Sequence, residues 1–131
     1  MEGKEMLPKF RAWNIESQCM LNHDFIVNTV IHNGEIVRDF SDILEHDDIF
    51  ILMQSTGMFD KNKNEIYEGD VVNITGIYDH KIMCEVVEYC KRGAYYDVGS
   101  FMLGNFETHH IEIIGNIHEH SHLLEDGGIR E

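Results

Sequence analysis

The sequence predicts a mainly β protein, built from short strands that close into a barrel or sandwich with little helix. Three observations carry that expectation. Apolar residues alternate with polar ones in many short runs, turn residues separate those runs, and no window of about 11 residues holds a capped helical stripe. At 131 residues the chain matches the common size of one domain, which buries roughly two thirds of the surface it exposes when unfolded. Its 43% hydrophobic and 26% charged content is that of a globular protein with a core.

Phe10-Arg11-Ala12-Trp13 alternates in polarity as a half-buried strand does, and residues 14–18 supply a polar turn. Residues 25–31 are dense in β-branched side chains and read as a strand. Asn33-Gly34 after them favours the positive φ angles of a type I′ turn, with residues 36–40 returning as the second strand of a hairpin. Residues 41–48 are polar apart from Ile43 and Leu44 and read as one helical turn or a loop. Ile49-Phe50-Ile51-Leu52-Met53 is a continuous apolar run, as expected of a strand covered on both faces.

Residues 56–67 read as a long polar turn between two short extended pieces, and residues 57–64 are the one plausible seam in an otherwise single domain spanning 1–131. Gly69-Asp70 opens the strand 71–75. Residues 78–89 hold two strand-like stretches, in which Cys84, Val86 and Glu88 share one face and Glu85, Val87 and Tyr89 the other. Residues 94–98 and 110–117 are the last strong strand candidates, and the tail beyond Ser121 reads as one short turn through Leu123 and Leu124.

Charge and cysteine usage narrow the function classes. A net charge of −14, with a pI near 4.9, repels phosphate backbones over about 8 to 10 Å, so nucleic-acid binding is disfavoured. Basic protein surfaces or small molecules are the expected partners, and solubility alone also explains the charge. Cys19, Cys84 and Cys90 form no CxxC pair and read as free thiols. No apolar run reaches the roughly 18 to 20 residues that span a bilayer, and the N-terminus leads into no signal-like stretch, so a cytoplasmic protein with no membrane partner is expected.

Four constellations touch on chemistry. His118, His120 and His122 alternate, so in an extended strand all three project from one side at spacings of roughly 6.5 to 7 Å, where imidazoles suit Zn²⁺ or Ni²⁺. His109 and His110 lie near enough to add a ligand, and solvated histidines at a polar terminus are the plainer reading. Asp60-x-Asn62-x-Asn64 copies the start of a calcium loop. Glu65 and Val71 stand where that loop needs glycine and a bidentate glutamate, so a hydrophilic turn is expected instead.

Asp79-His80 sets an acid beside an imidazole, with Glu85, Glu88 and Asp97 as conceivable partners for acid–base work. Charged outward positions on strands are by far the plainer reading. Trp13, Tyr67, Tyr78, Tyr89, Tyr95 and Tyr96 offer a stacking surface for single-stranded nucleic acid, but only Lys91-Arg92 supplies nearby positive charge. Core packing explains most of these rings.

Three stretches stand out together: Lys9-Phe10-Arg11-Ala12-Trp13; a middle stretch of residues 52–57, 60–62 and 65–72; and Ile113-Ile114-Gly115-Asn116-Ile117-His118-Glu119. Together they resemble the YopX family, encoded mostly by phages and prophages. The middle stretch is the most specific, and the resemblance runs from Lys9 to about residue 124. It implies a mainly β fold with a barrel-like C-terminal part, so the architecture expected here is barrel-like, either SH3-like or a pseudo-barrel. It marks Trp13, Gly57, Asp60, Tyr67, Gly69, Asp70, Gly115 and Asn116 as structural motif residues.

Within the motif, Gly69 is expected to take a conformation closed to other residues, and Asp70 to bind backbone amides of the turn. Ser55 stands where the family commonly has an aromatic residue, and His118 and His120 where it commonly has Tyr and Asn. The resemblance implies no established activity, no catalytic residue and no cofactor. It leaves a non-enzymatic accessory protein in a bacterial host cell as the leading expectation, binding a host or phage protein or associating with itself. A small metal-binding protein is the first alternative and a single-strand binder the second.

Overall fold

A computed structural model describes residues 9–28, 30–38, 40–75 and 82–120. The chain divides into two compact units, 1–55 and 56–131. Residues 78–81 of the expected strand pair, the Asp79-His80 dyad, Tyr78, His122 and the C-terminal turn all lie outside the described residues.

In the first unit, strand β1 (Phe10–Asn14) pairs antiparallel with β2 (Cys19–Leu21) across a turn. Asn14 Oδ1 nucleates that turn by accepting from the amides of Glu16 and Ser17. The other side of β1 pairs with β5 (Phe50–Phe59), with Trp13 opposite Ile51 and Phe10 opposite Gln54. Between them lie helix α1 (His23–Val27), the hairpin of β3 (Val30–His32) and β4 (Glu35–Arg38), and helix α2 (Phe40–Glu45).

The first correction to the sequence reading falls on α1, because residues 25–27 are helical rather than extended. Asn22 caps the helix, its side chain accepting from the amide of Phe25 at 2.9 Å, and Asp24 sits in the first turn where the helix dipole favours an anion. The turn buries Ile26 against Ala12 and Ile43, so burial and capping override the β propensity of the run. Phe10, Leu21, Val27, Phe40 and Phe50 complete this small core.

The hairpin turns at Asn33 (φ 55°) and Gly34 (φ 79°), the two positive φ angles expected of the Asn-Gly pair. Of the run 49–53, residues 50–53 are strand but are not covered on both faces: Ile51 and Leu52 are 38% and 36% exposed, while Met53 is buried.

In the second unit a five-stranded antiparallel sheet has the order β10-β9-β8-β7-β11. Its strands are β7 (Asp70–Thr75), β8 (Ile82–Cys90), β9 (Tyr95–Val98), β10 (Phe101–Met102) and β11 (Ile111–Asn116). The short strand β6 (Glu65–Tyr67) precedes it and neighbours β5. Residues 57–59 therefore finish β5, and the polar turn is confined to 60–64.

Register places Val72, Ile74, Val87 and Val98 on one face of the sheet, where they form the core with Ile66, Leu103 and Ile111. Two 3-10 turns, Leu103–Asn105 and Thr108–His110, lead from the edge strand β10 back across to β11. The protein is mainly β with two short α-helices, and among the described residues no helix is long and apolar enough to cross a membrane.

Candidate functional site

The motif residues of the middle and C-terminal stretches converge on backbone groups rather than on a cavity. Asp60 is fully buried. Its Oδ1 accepts from the amides of Asn62 and Asn64, and its Oδ2 from the amide of Ile113, each at 2.9 Å. The Asp-x-Asn-x-Asn pattern is thus a carboxylate-centred turn, and both carboxylate oxygens are engaged by N–H donors. The expectation of a merely hydrophilic turn needs correcting at Asp60, whose burial arises because it also closes the outer edge of β11. Lys61 N–H adds a bond to the Ile111 carbonyl at 2.9 Å.

Asp70 is buried and accepts the Tyr67 amide at 2.8 Å, and Gly69 takes φ 87°. Gly69 N–H reaches the Val87 carbonyl while its own carbonyl accepts from Ile117, so this turn binds β8 to the end of β11. Asn116 is buried opposite Asp70. Its Oδ1 accepts from the amides of His118 and Glu119, and its Nδ2 donates to Glu119 Oε1 at 2.8 Å.

His118 and His120 do not continue the strand. β11 ends at Asn116 and residues 117–119 form a turn, because Asn116 caps that turn from within. The projection of His118 and His120 from one side of an extended strand is therefore not realised. His120 folds back on Gly115, where an added Cβ would lie 2.7 Å from its ring, and its Nδ1 accepts the Asn116 amide at 3.1 Å. His118 is half-buried in the turn.

Of the remaining residues singled out by sequence, Trp13 is buried in the first unit and Gly57 takes φ 81° within β5. Tyr67 is half-buried. The rings of Tyr89 and Tyr96 meet edge-to-face at 5.1 Å. Burial, the nearby charge of Glu68 and Tyr89 all push the Tyr96 hydroxyl above its ordinary pKa. The Tyr95 hydroxyl is also raised, chiefly by its hydrogen bond with Cys90.

The second sheet carries a row of polar chemistry that runs inward from its β10 edge to its middle strand β8. Glu88 lies directly opposite Asp97, and Asp97 opposite Met102, so two carboxylates and a thioether form one cross-strand row. Glu88 is exposed, Met102 is 42% exposed, and Phe101 beside it is 51% exposed with its ring 6.1 Å from Phe106. Glu85 is set apart from this row, its carboxyl lying against Gly99.

Immediately after Phe106, the carboxylate of Glu107 and the imidazoles of His109 and His110 come together, all three ligand atoms lying within 4.8 Å of one another. Sequence reasoning reached the two histidines but missed Glu107. The signal available was a carboxylate two residues before a His-His pair in a segment too short for a strand.

These features define a two-unit, mainly β protein whose motif residues lock turns onto strands. The YopX protein family model matches residues 9–125. The chain belongs to the YopX family. Among solved structures it is similar to the crystal structure of protein EF1440 from Enterococcus faecalis, with a TM-score of 0.62 and 25% sequence identity over 92% of this chain and 99% of that one. No curated protein matches the sequence.

Proposed function

We propose that the protein is a non-enzymatic phage or prophage accessory protein. In this reading it binds a basic segment of a host or phage protein along the β10 edge of its second unit. The observation that carries the reading is the row Met102, Asp97 and Glu88, which starts at the β10 edge and runs inward to the middle strand β8. Like charges directly opposite on neighbouring strands cost up to about 1 kcal/mol, which a cationic side chain placed between them would offset. Met102 supplies apolar area at the end of the row, and the net charge of −14 steers basic partners toward the surface. An edge strand accepts an added strand through its backbone.

The two ends of the sheet favour β10 over β11. The outer edge of β11 is blocked, since Asp60 takes the Ile113 amide and Lys61 takes the Ile111 carbonyl.

Glu88→Lys tests the reading with two measurements of opposite sign. Replacing one carboxylate of the pair by an amine is expected to raise the urea midpoint of the free protein. It is also expected to abolish capture of a basic protein by cross-linking in lysate of the bacterial host at low salt. Equal capture by wild type and variant, or no capture by either, refutes the reading.

A further inference from the structure

The geometry points to a solvent-facing site for a divalent first-row transition metal at Glu107, His109 and His110, beyond the protein-binding edge proposed above. Nζ donors are absent from the trio; it consists of two imidazoles and a carboxylate, the donor set that suits Zn²⁺, Ni²⁺ or Cu²⁺ better than Mg²⁺ or Ca²⁺.

The local backbone accounts for Glu107 beside His110, three residues apart, but not for His109 joining them. Successive side chains on a 3-10 turn splay by about 120°. Yet the rings of His109 and His110 have centroids 4.2 Å apart at an interplanar angle of 41°. Glu107 Oε1 approaches His109 Nε2 at 3.5 Å, and the three ligand atoms fall within 4.8 Å of one another. In a tetrahedral site with bonds near 2.0 to 2.1 Å, ligand atoms lie roughly 3.3 to 3.5 Å apart. Small rotations of exposed side chains close that gap, since the Glu107 and His109 side chains are 75% and 68% exposed.

An ordinary ion pair explains less. A surface pair between Glu107 and His109 contributes about 0 to 1 kcal/mol and leaves His110 without a role. One divalent cation placed among the two imidazoles and the carboxylate engages all three donors.

The carrier is anchored by a buried residue on each side, which lowers the ordering cost of binding. Leu103 is buried before the turn and Ile111 after it. The His110 amide donates to the Glu107 carbonyl at 2.9 Å, and the Ile111 amide to the carbonyl of Thr108. Three protein ligands leave a fourth position for water or for a donor from a partner, the arrangement of an open rather than a closed site.

The test is isothermal titration of the full, untagged chain with Zn²⁺ at neutral pH, alongside native mass spectrometry. Variants are Glu107→Gln, His109→Gln and His110→Gln, with circular dichroism to confirm the fold, and a control carrying His118→Gln, His120→Gln and His122→Gln together. The expected result is one zinc per wild-type chain, a loss of affinity of about tenfold or more in each single variant, and no change in the control. Failure of the wild-type chain to bind zinc stoichiometrically, or any other pattern among the variants, overturns the assignment.

Discussion

Replacing Asp60 should separate a structural carboxylate from a calcium-type ligand more sharply than any other single change. The side chain is fully buried and accepts three backbone N–H groups, two inside the turn 60–64 and one from Ile113, 53 residues away. Hydrogen bonds to a charged group contribute about 1.5 to 3 kcal/mol each, and stranding a buried donor costs about 1 to 3 kcal/mol. Asn62 and Asn64 are exposed, so water replaces much of what the turn loses. The Ile113 amide sits at the edge of the core, where replacement is harder.

Asp60→Ala should therefore destabilise the second unit by about 3 to 4 kcal/mol, most of it from the Ile113 bond. Asp60→Asn keeps the shape but sets an NH₂ group against one set of N–H donors whichever way the amide lies, and should cost about 2 kcal/mol. Urea unfolding followed by circular dichroism measures both. If the two variants unfold at the wild-type midpoint, or if added calcium stabilises the wild type and not the variants, the carboxylate is not the clamp described here.

Three further outcomes follow from the same geometry. Gly69→Val forces a β-branched residue to φ 87° and should cost more than about 1 kcal/mol, with equal urea midpoints as the contrary result. Gly115→Ala drives a methyl group into the His120 ring at 2.7 Å and should cost about 1 to 3 kcal/mol. In a His120→Ala background that cost should shrink, and strict additivity in the double-mutant cycle contradicts the contact. His46 should titrate above its ordinary 6.5 in an NMR titration, because its Nδ1 bonds the Asp42 carbonyl and Asp48, Asp42 and Glu45 surround it. Since folding raises this pKa, the stabilisation is complete below the unfolded value and fades as pH rises through the folded one, and a midpoint at or below 6.5 refutes the assignment.

What sequence could reveal divides by the range of the interaction involved. The Asn33-Gly34 hairpin was legible because its cause is local, two residues that tolerate positive φ. Strands β7, β9 and β11 were legible because β-branched and aromatic residues crowd each run between turn residues. Helix α1 was not, since its β-branched residues speak for a strand until Asn22 and the burial of Ile26 are weighed together. Strand β2 was missed because Cys19-Met20-Leu21 is too short to alternate visibly. The burial of Asp60 was hidden for a different reason, because its decisive partner, Ile113, comes from another strand. Of the exposed groups, the opposition of Glu88 and Asp97 depends on the length of the 91–94 loop, which fixes register but announces it only in three dimensions.

The polar residues that mark the chain as a YopX protein are largely spent on its own backbone. Asp60, Asp70 and Asn116 are buried, and among them they accept from six amides. A buried acceptor that already holds its donors has little capacity left for a ligand, since each new contact must first break an existing bond at about 1 to 3 kcal/mol. Groups with capacity to spare are those that water currently solvates. In the second unit these include the facing carboxylates of Glu88 and Asp97 and the convergent donors of Glu107, His109 and His110, separated in the chain by β10 and a single 3-10 turn. Substitutions at the buried motif should therefore act through stability, whereas substitutions at these exposed groups should leave the fold in place and change only what it binds.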